Sequence, residues 1–250
     1  MAGTQASTAG NGVIPWSRVV PEQICAYAAL FAASMISPMR DASGAVSVTF
    51  AVVPVAVIMV VFIWHSPLRD GMAGRLIAGI GGVLSLACAV VRTLGHVFFP
   101  AVATGAEGSS SAVLYPQETW AAGVVGLLVL LVLVSFGRQM AREDRSHLIR
   151  SLSHGVTDGV AMIAAPGWCF LPDLIVACRG GVSGNAAVAA WAGCAVIVVL
   201  AVLLGAASCK WACDVNPTPR VARPWLGVGL MPVLFMGPVV AVASLVVELV

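Results

Sequence analysis

Apolar positions in this chain do not alternate with polar ones; they run together in long blocks. Seven such blocks, at 23–38, 46–64, 76–98, 120–136, 155–178, 186–208 and 225–249, are nearly free of charge and are bounded by arginines, prolines and glycines. A helix that crosses the hydrocarbon core of a bilayer needs about 20 apolar residues, and the blocks have that length. A membrane barrel would instead show strands of about 10 residues with polar and apolar positions alternating. The pattern therefore predicts an all-α, polytopic transmembrane bundle of seven spans, within bounds of six to eight. The first block is the shortest and starts beside Glu22, so that span either lies in the interface or tilts differently from the rest.

Composition removes the soluble alternative. Hydrophobic residues make up 60% and charged residues 10% of the 250, against about 45–50% and 25% in a soluble domain, and mean hydropathy is +0.99. The small, polar residues at the start, "MAGTQASTAGNG", predict a disordered segment over 1–20, ahead of a helical bundle over 21–250. They lack the basic start and apolar core of a cleaved signal peptide.

Charge orients the bundle, because basic loops stay on the cytoplasmic side. With the amino terminus inside, Arg18, Arg69, Arg75, Arg138, Arg142, Arg145, Arg150, Lys210, Arg220 and Arg223 all fall inside, ten of the 13 basic residues. Arg40, Arg92 and Arg179 fall at outer ends, and the long outer loop "TGAEGSSSAVLYPQETW" carries only acid. The cytoplasmic loops are then expected near 65–75, 137–153 and 209–224, and the location expected is the bacterial cytoplasmic membrane. Seven spans put Val250 outside, either as an end at the outer surface or as a point from which a longer chain continues.

The densest charge lies in "SFGRQMAREDRSHLIRSLSHGVTDGV". Arg138, Arg142 and Arg145 recur at helical spacing, with Glu143 and Asp144 between them, and Arg150 follows. The cluster reads as a topology anchor on anionic headgroups, each basic residue contributing about 1 kcal/mol, or as a docking surface for a partner protein or an anion.

An ionisable group inside a span is costly and normally has a partner or a purpose. Asp158 stands one turn after His154 at the inner end of the fifth block, flanked by Gly155 and Gly159, small enough for close helix contact. The pair is a candidate proton or ligand site; the alternative is that Asp158 lies at headgroup depth and pairs with His154 or an arginine. Arg92 and His96 form a similar pair towards the outer end of the third block, where both can reach the surface. Asp173 follows Pro166-Gly167 and Pro172, and an acid beside a broken helix is a form from which transporters build binding sites. The seventh block has its own breaks, Pro232 and Gly237-Pro238, in "LMPVLFMGPVV".

The seven cysteines include Cys25, Cys88, Cys169 and Cys194 within spans, where a thiol is a small apolar filler. Cys209 and Cys213 share a helix face, but no second pair or nearby histidine completes a tetrahedral metal set. No nucleophile elbow, zinc motif or phosphate loop is present, no cofactor is implied, and the basic surface is too small for nucleic acid.

The layout resembles the first half, and a little more, of a major-facilitator-type transporter fold. That fold carries an acid, glycine and basic motif between its second and third spans, and the corresponding "HSPLRDGMAGRLI" is similar through Asp70, Gly74 and Arg75, with one extra residue before the glycine and no second basic residue. The resemblance implies that these three help control a switch between inward-facing and outward-facing states. The small-residue-rich spans and "FGRQMAREDRSHLIRSL" also look like the multi-span membrane half of LuxR-type regulators of gut actinobacteria, which implies a truncated or stand-alone sensor domain. The functional expectation is thus a sensor, regulatory or transporter-like module binding a small apolar or amphipathic ligand. The alternatives are a transporter or permease subunit, or a non-catalytic subunit of a membrane complex. The partners expected are the bilayer, a small ligand and a protein at the cytoplasmic loops.

Overall fold

The computed structural model describes residues 16–36, 48–68, 71–91, 115–141, 148–181, 184–214 and 223–250. Among them the chain is helical and holds no strand. In hydrocarbon every backbone N–H and C=O must be satisfied within its own segment, which an apolar helix achieves by itself. The helices follow the apolar blocks in order: Trp16–Ile36, Val48–His65, Gly71–Val90, Pro116–Met140, a composite fifth span from Leu148, Asn185–Asp214 and a seventh span from Pro224 to Leu249. Six of these seven are long and apolar enough to cross a membrane, and the second, Val48–His65, is a shorter apolar helix of 18 residues.

Several boundaries differ from those the apolar blocks predict. The first helix begins at Trp16 and takes in Arg18, Pro21 and Glu22, so it is not a short segment; residues 1–15 lie outside the described residues. The third begins at Gly71, which places Gly74 and Arg75 in its first turns and not in a loop. The sixth continues to Asp214, so Cys209 and Lys210 are helical and the loop expected near 209–224 is shorter. Hydropathy marks where a helix turns polar, whereas the helix itself continues as long as its backbone bonds do.

Two spans are broken where their prolines stand. Proline lacks an N–H and crowds the preceding turn. The fifth span accordingly runs as an α-helix over Leu148–Ala164, tightens to a 3₁₀ helix over Ala165–Phe170 around Pro166, restarts as Leu171–Val176 behind Pro172, and ends in a π-turn, Ala177–Gly181. The seventh runs over Pro224–Phe235, turns at Met236 and resumes over Gly237–Leu249; the Met236 N–H donates to the carbonyls of Pro232 (3.2 Å) and Val233 (3.3 Å).

These two broken spans form the centre. Of the apolar stretch of the fifth span 83% is buried, against 11% of that of the sixth, the most outward-facing of the six long spans. The fifth packs on the third and fourth, and the seventh on the first, second and sixth. Phe62, Phe170, Ile163, Leu174, Leu234 and Met236 are fully buried between them. On the outside, Val188, Trp191, Val198, Val199, Val202 and Leu203 of the sixth span are exposed, an arrangement suited to lipid as solvent.

Candidate functional site

Asp158 lies where the second, fifth and seventh spans meet. The second helix ends at His65, whose Nδ1–H donates to the Val61 carbonyl at 2.9 Å. The chain then turns through Ser66 and Pro67. Ser66 is buried, accepts a bond from the Leu68 N–H at 3.3 Å, and points its hydroxyl proton between both oxygens of Asp158, at 2.8 and 2.9 Å. Gly227 of the seventh span closes the third side: a Cβ there would stand 2.4 Å from the His65 carbonyl and 2.8 Å from the Ser66 Cα. A serine from another span is thus one partner of Asp158, which the helix-face spacing with His154 does not reveal. His154 is half-buried one turn earlier.

Arg75 packs on the end of the second helix. Its guanidinium lies over the Trp64 ring, 5.9 Å from the centroid, and donates to the Trp64 carbonyl at 3.1 Å. It thereby satisfies a carbonyl at the carboxyl end of the second helix, where a positive charge is favoured. Gly74 is buried and, with Ser135, Arg138, Gln139 and Gly155, borders a void of about 10 Å³, room for a single water at most. Arg150 stands in the first turns of the fifth span, and Asp173 is half-buried in the short helix behind Pro172. Asp70, Arg92, His96, Arg142 and Arg145 lie outside the described residues.

The breaks of the fifth and seventh spans cross each other. A Cβ on Gly167 would stand 2.2 Å from the Gly237 carbonyl oxygen, and one on Gly237 would stand 2.0 Å from the Ala164 carbonyl oxygen. Only glycine allows backbone to lie on backbone at this distance. Just beyond, the Trp168 Nε1–H donates to the Val233 carbonyl at 2.7 Å, in the turn before Pro238.

Beside that crossing lies a cleft of about 680 Å³. The first and sixth spans form its walls, with Trp168 and Leu171 of the fifth as its floor. Its lining is apolar apart from two groups. The Gln23 amide is occupied, donating to Ser208 Oγ at 2.5 Å while that hydroxyl donates to the Gly205 carbonyl at 2.8 Å. The Tyr27 hydroxyl oxygen is buried and has no hydrogen-bond partner among the described residues; its ring stands 5.8 Å from that of Trp168. A buried, unsatisfied hydroxyl costs about 1–3 kcal/mol, and because this oxygen has no accessible surface a molecule in the cleft would meet it only after the Tyr27 side chain turns. A second groove, of about 260 Å³, lies between the third and fourth spans and is lined only by apolar residues such as Ile77, Leu84, Leu127 and Leu131. Nothing in it would orient a ligand.

Tyr27 and Trp168 carry no motif. What signal there is lies in the first span: Gln23 and Tyr27 fall one turn apart on a helix that is otherwise apolar there, and Tyr27 is one of two tyrosines in the chain. Among the described residues no three His, Cys, Asp or Glu side chains gather into a metal-binding group. No protein-family model matches the chain, and no match was found among the curated proteins or the solved structures.

Proposed function

We propose that this is a cell-membrane protein that takes an elongated apolar or amphipathic molecule, bearing one hydrogen-bonding group, from the bilayer into the cleft between its first and sixth spans. In this reading it is a sensor or transport-like module in the bacterial cytoplasmic membrane, and the response is a change in how the spans sit. The observation that carries it is the apolar cleft of about 680 Å³ between the first and sixth spans, with the Tyr27 hydroxyl, which has no partner among the described residues, buried just beneath its surface. Ligand sites are concave, mostly apolar and furnished with a few polar groups that set orientation. The sixth span turns most of its apolar stretch outward, 11% of it being buried, and touches the first span less than it touches the seventh, so occupancy of the cleft acts on the separation of the first and sixth spans. A ligand shifts such an equilibrium only through its difference in affinity for the two arrangements. The arginine-bearing cytoplasmic segments are, in the same reading, where a protein partner would receive the change.

The test is photolabelling of the protein in nanodiscs with a diazirine-bearing fatty acid. Adducts concentrated on Tyr27, Trp168 and residues 197–206, and lost on Ala201→Trp, are the expected result. Labelling spread evenly over all outward-facing helices and indifferent to Ala201→Trp would refute the site.

One observation favours a transport reading as well: the two broken spans cross at their breaks, the arrangement from which secondary transporters build midplane sites. Flux into proteoliposomes that disappears with Asp158→Asn would support it.

A further inference from the structure

The outer part of the cleft wall carries a pair of thiols on two different spans. Cys178 sits in the π-turn that ends the fifth span and Cys194 in the sixth, and their sulfurs are 3.5 Å apart. Neither is in a disulfide, both are half-buried, and Cys194 also lines the cleft. The pair links the most buried span to the least buried one, 83% against 11%. Next to it, Gly193 brings the sixth helix against the fifth and seventh: a Cβ there would stand 3.1 Å from the Ala243 Cβ and 3.7 Å from the Leu174 Cδ1. At this level the sixth span touches the core, and further inward it forms the outer wall of the cleft.

We propose that Cys178 and Cys194 form a reversible dithiol–disulfide latch that pins the sixth span to the fifth and sets how far the cleft opens, oxidised by an apolar quinone dissolved in the bilayer. The role in the cleft rests on the ligand-binding reading given above. A disulfide needs the sulfurs at about 2.05 Å, and the irregular π-turn supplies the adjustment, since such turns are single-turn departures from α-geometry. In the reaction two S–H bonds break and one S–S bond forms; the two electrons and two protons pass to the quinone carbonyl oxygens and give the hydroquinone. A small dithiol reverses the step and is itself converted to a disulfide. Depth selects the oxidant class. Cys194 lies 194 − 185 = 9 residues into the helix that starts at Asn185, about 13 Å along the axis. An apolar quinone reaches that depth through the bilayer and the open side of the cleft, as does a small uncharged dithiol, whereas a charged disulfide of peptide size does not.

The test uses the full chain in nanodiscs with decylubiquinone, followed by reduction with dithiothreitol. The expected result is a Cys178–Cys194 linked peptide in mass spectrometry, one hydroquinone formed per linked chain, and a several-fold change in fatty-acid photolabelling of the cleft that dithiothreitol reverses. Cys178→Ser and Cys194→Ser each remove the link and make photolabelling indifferent to the quinone; two separate variants guard against one that fails to fold. No linked peptide, with the cleft still labelled, overturns the latch and leaves the ligand reading standing. A linked peptide with equal labelling in both redox states overturns control of the cleft by the latch. A linked peptide in a chain whose cleft is never labelled overturns the ligand reading and, with it, the latch's control of a binding site.

Discussion

The Tyr27 hydroxyl is buried and has no hydrogen-bond partner among the described residues. Tyr27→Phe removes a buried unsatisfied group, whose cost is about 1–3 kcal/mol, and leaves the ring against Trp168. The expected outcome is an unchanged or higher melting temperature in detergent together with several-fold weaker photolabelling of the cleft; a clear drop in melting temperature would show that the hydroxyl is structural. Ser66 is the opposite case. Its single hydroxyl serves both oxygens of Asp158, and hydrogen bonds to charged groups contribute about 1.5–3 kcal/mol. Ser66→Ala should lower stability by that order, as a lower melting temperature than the unaltered protein in the same detergent; equal melting curves would show that the bond contributes nothing. Asp158 stood out in the sequence as an acid at the edge of an apolar run. Ser66 did not, since a serine 92 positions away has no local feature that marks it as the partner.

At the scale of elements, the crossing of the fifth and seventh spans depends on two glycines that touch backbone. Gly167→Ala and Gly237→Ala each place a methyl group about 2 Å from a carbonyl oxygen (2.2 and 2.0 Å), a clash that no rotamer relieves. Each is expected to cost at least about 3 kcal/mol, the upper end for overpacking, and to appear as loss of the monodisperse peak in size-exclusion chromatography. Gly137→Ala is the control, because nothing lies within 4 Å of the added methyl group and it sits within a helix; it should be neutral or slightly stabilising. The prolines at 166, 172 and 238, each beside a break, marked both sites in the sequence, yet a missing N–H alone does not break a span, since Pro21 and Pro54 stand inside the unbroken first and second helices. That the breaks face each other was not legible, because it depends on how two spans about 70 residues apart dock. The thiol pair was hidden for the same reason: Cys194 reads as a filler until Cys178 is brought beside it.

At the scale of the whole molecule, the distribution of arginine and lysine predicts the amino terminus inside. With the native cysteines replaced by alanine, Ser109→Cys should react with a membrane-impermeant maleimide in intact cells, and Ser153→Cys only after permeabilisation; the reverse pattern would invert the bundle. What the sequence determines by itself is the class of object, the number and order of its helices and where two of them break. A bilayer reads the chain one segment at a time, and segment length, apolarity and proline content are local properties. The tertiary structure alone decides which spans are central, that Ser66 holds Asp158, that an apolar cleft opens beside Tyr27 and that two thiols meet. Lipid is as apolar as the helix surfaces, so burial of oil does not choose which faces pack. That choice falls to close contact at glycines and to single hydrogen bonds, each made by residues far apart in the chain.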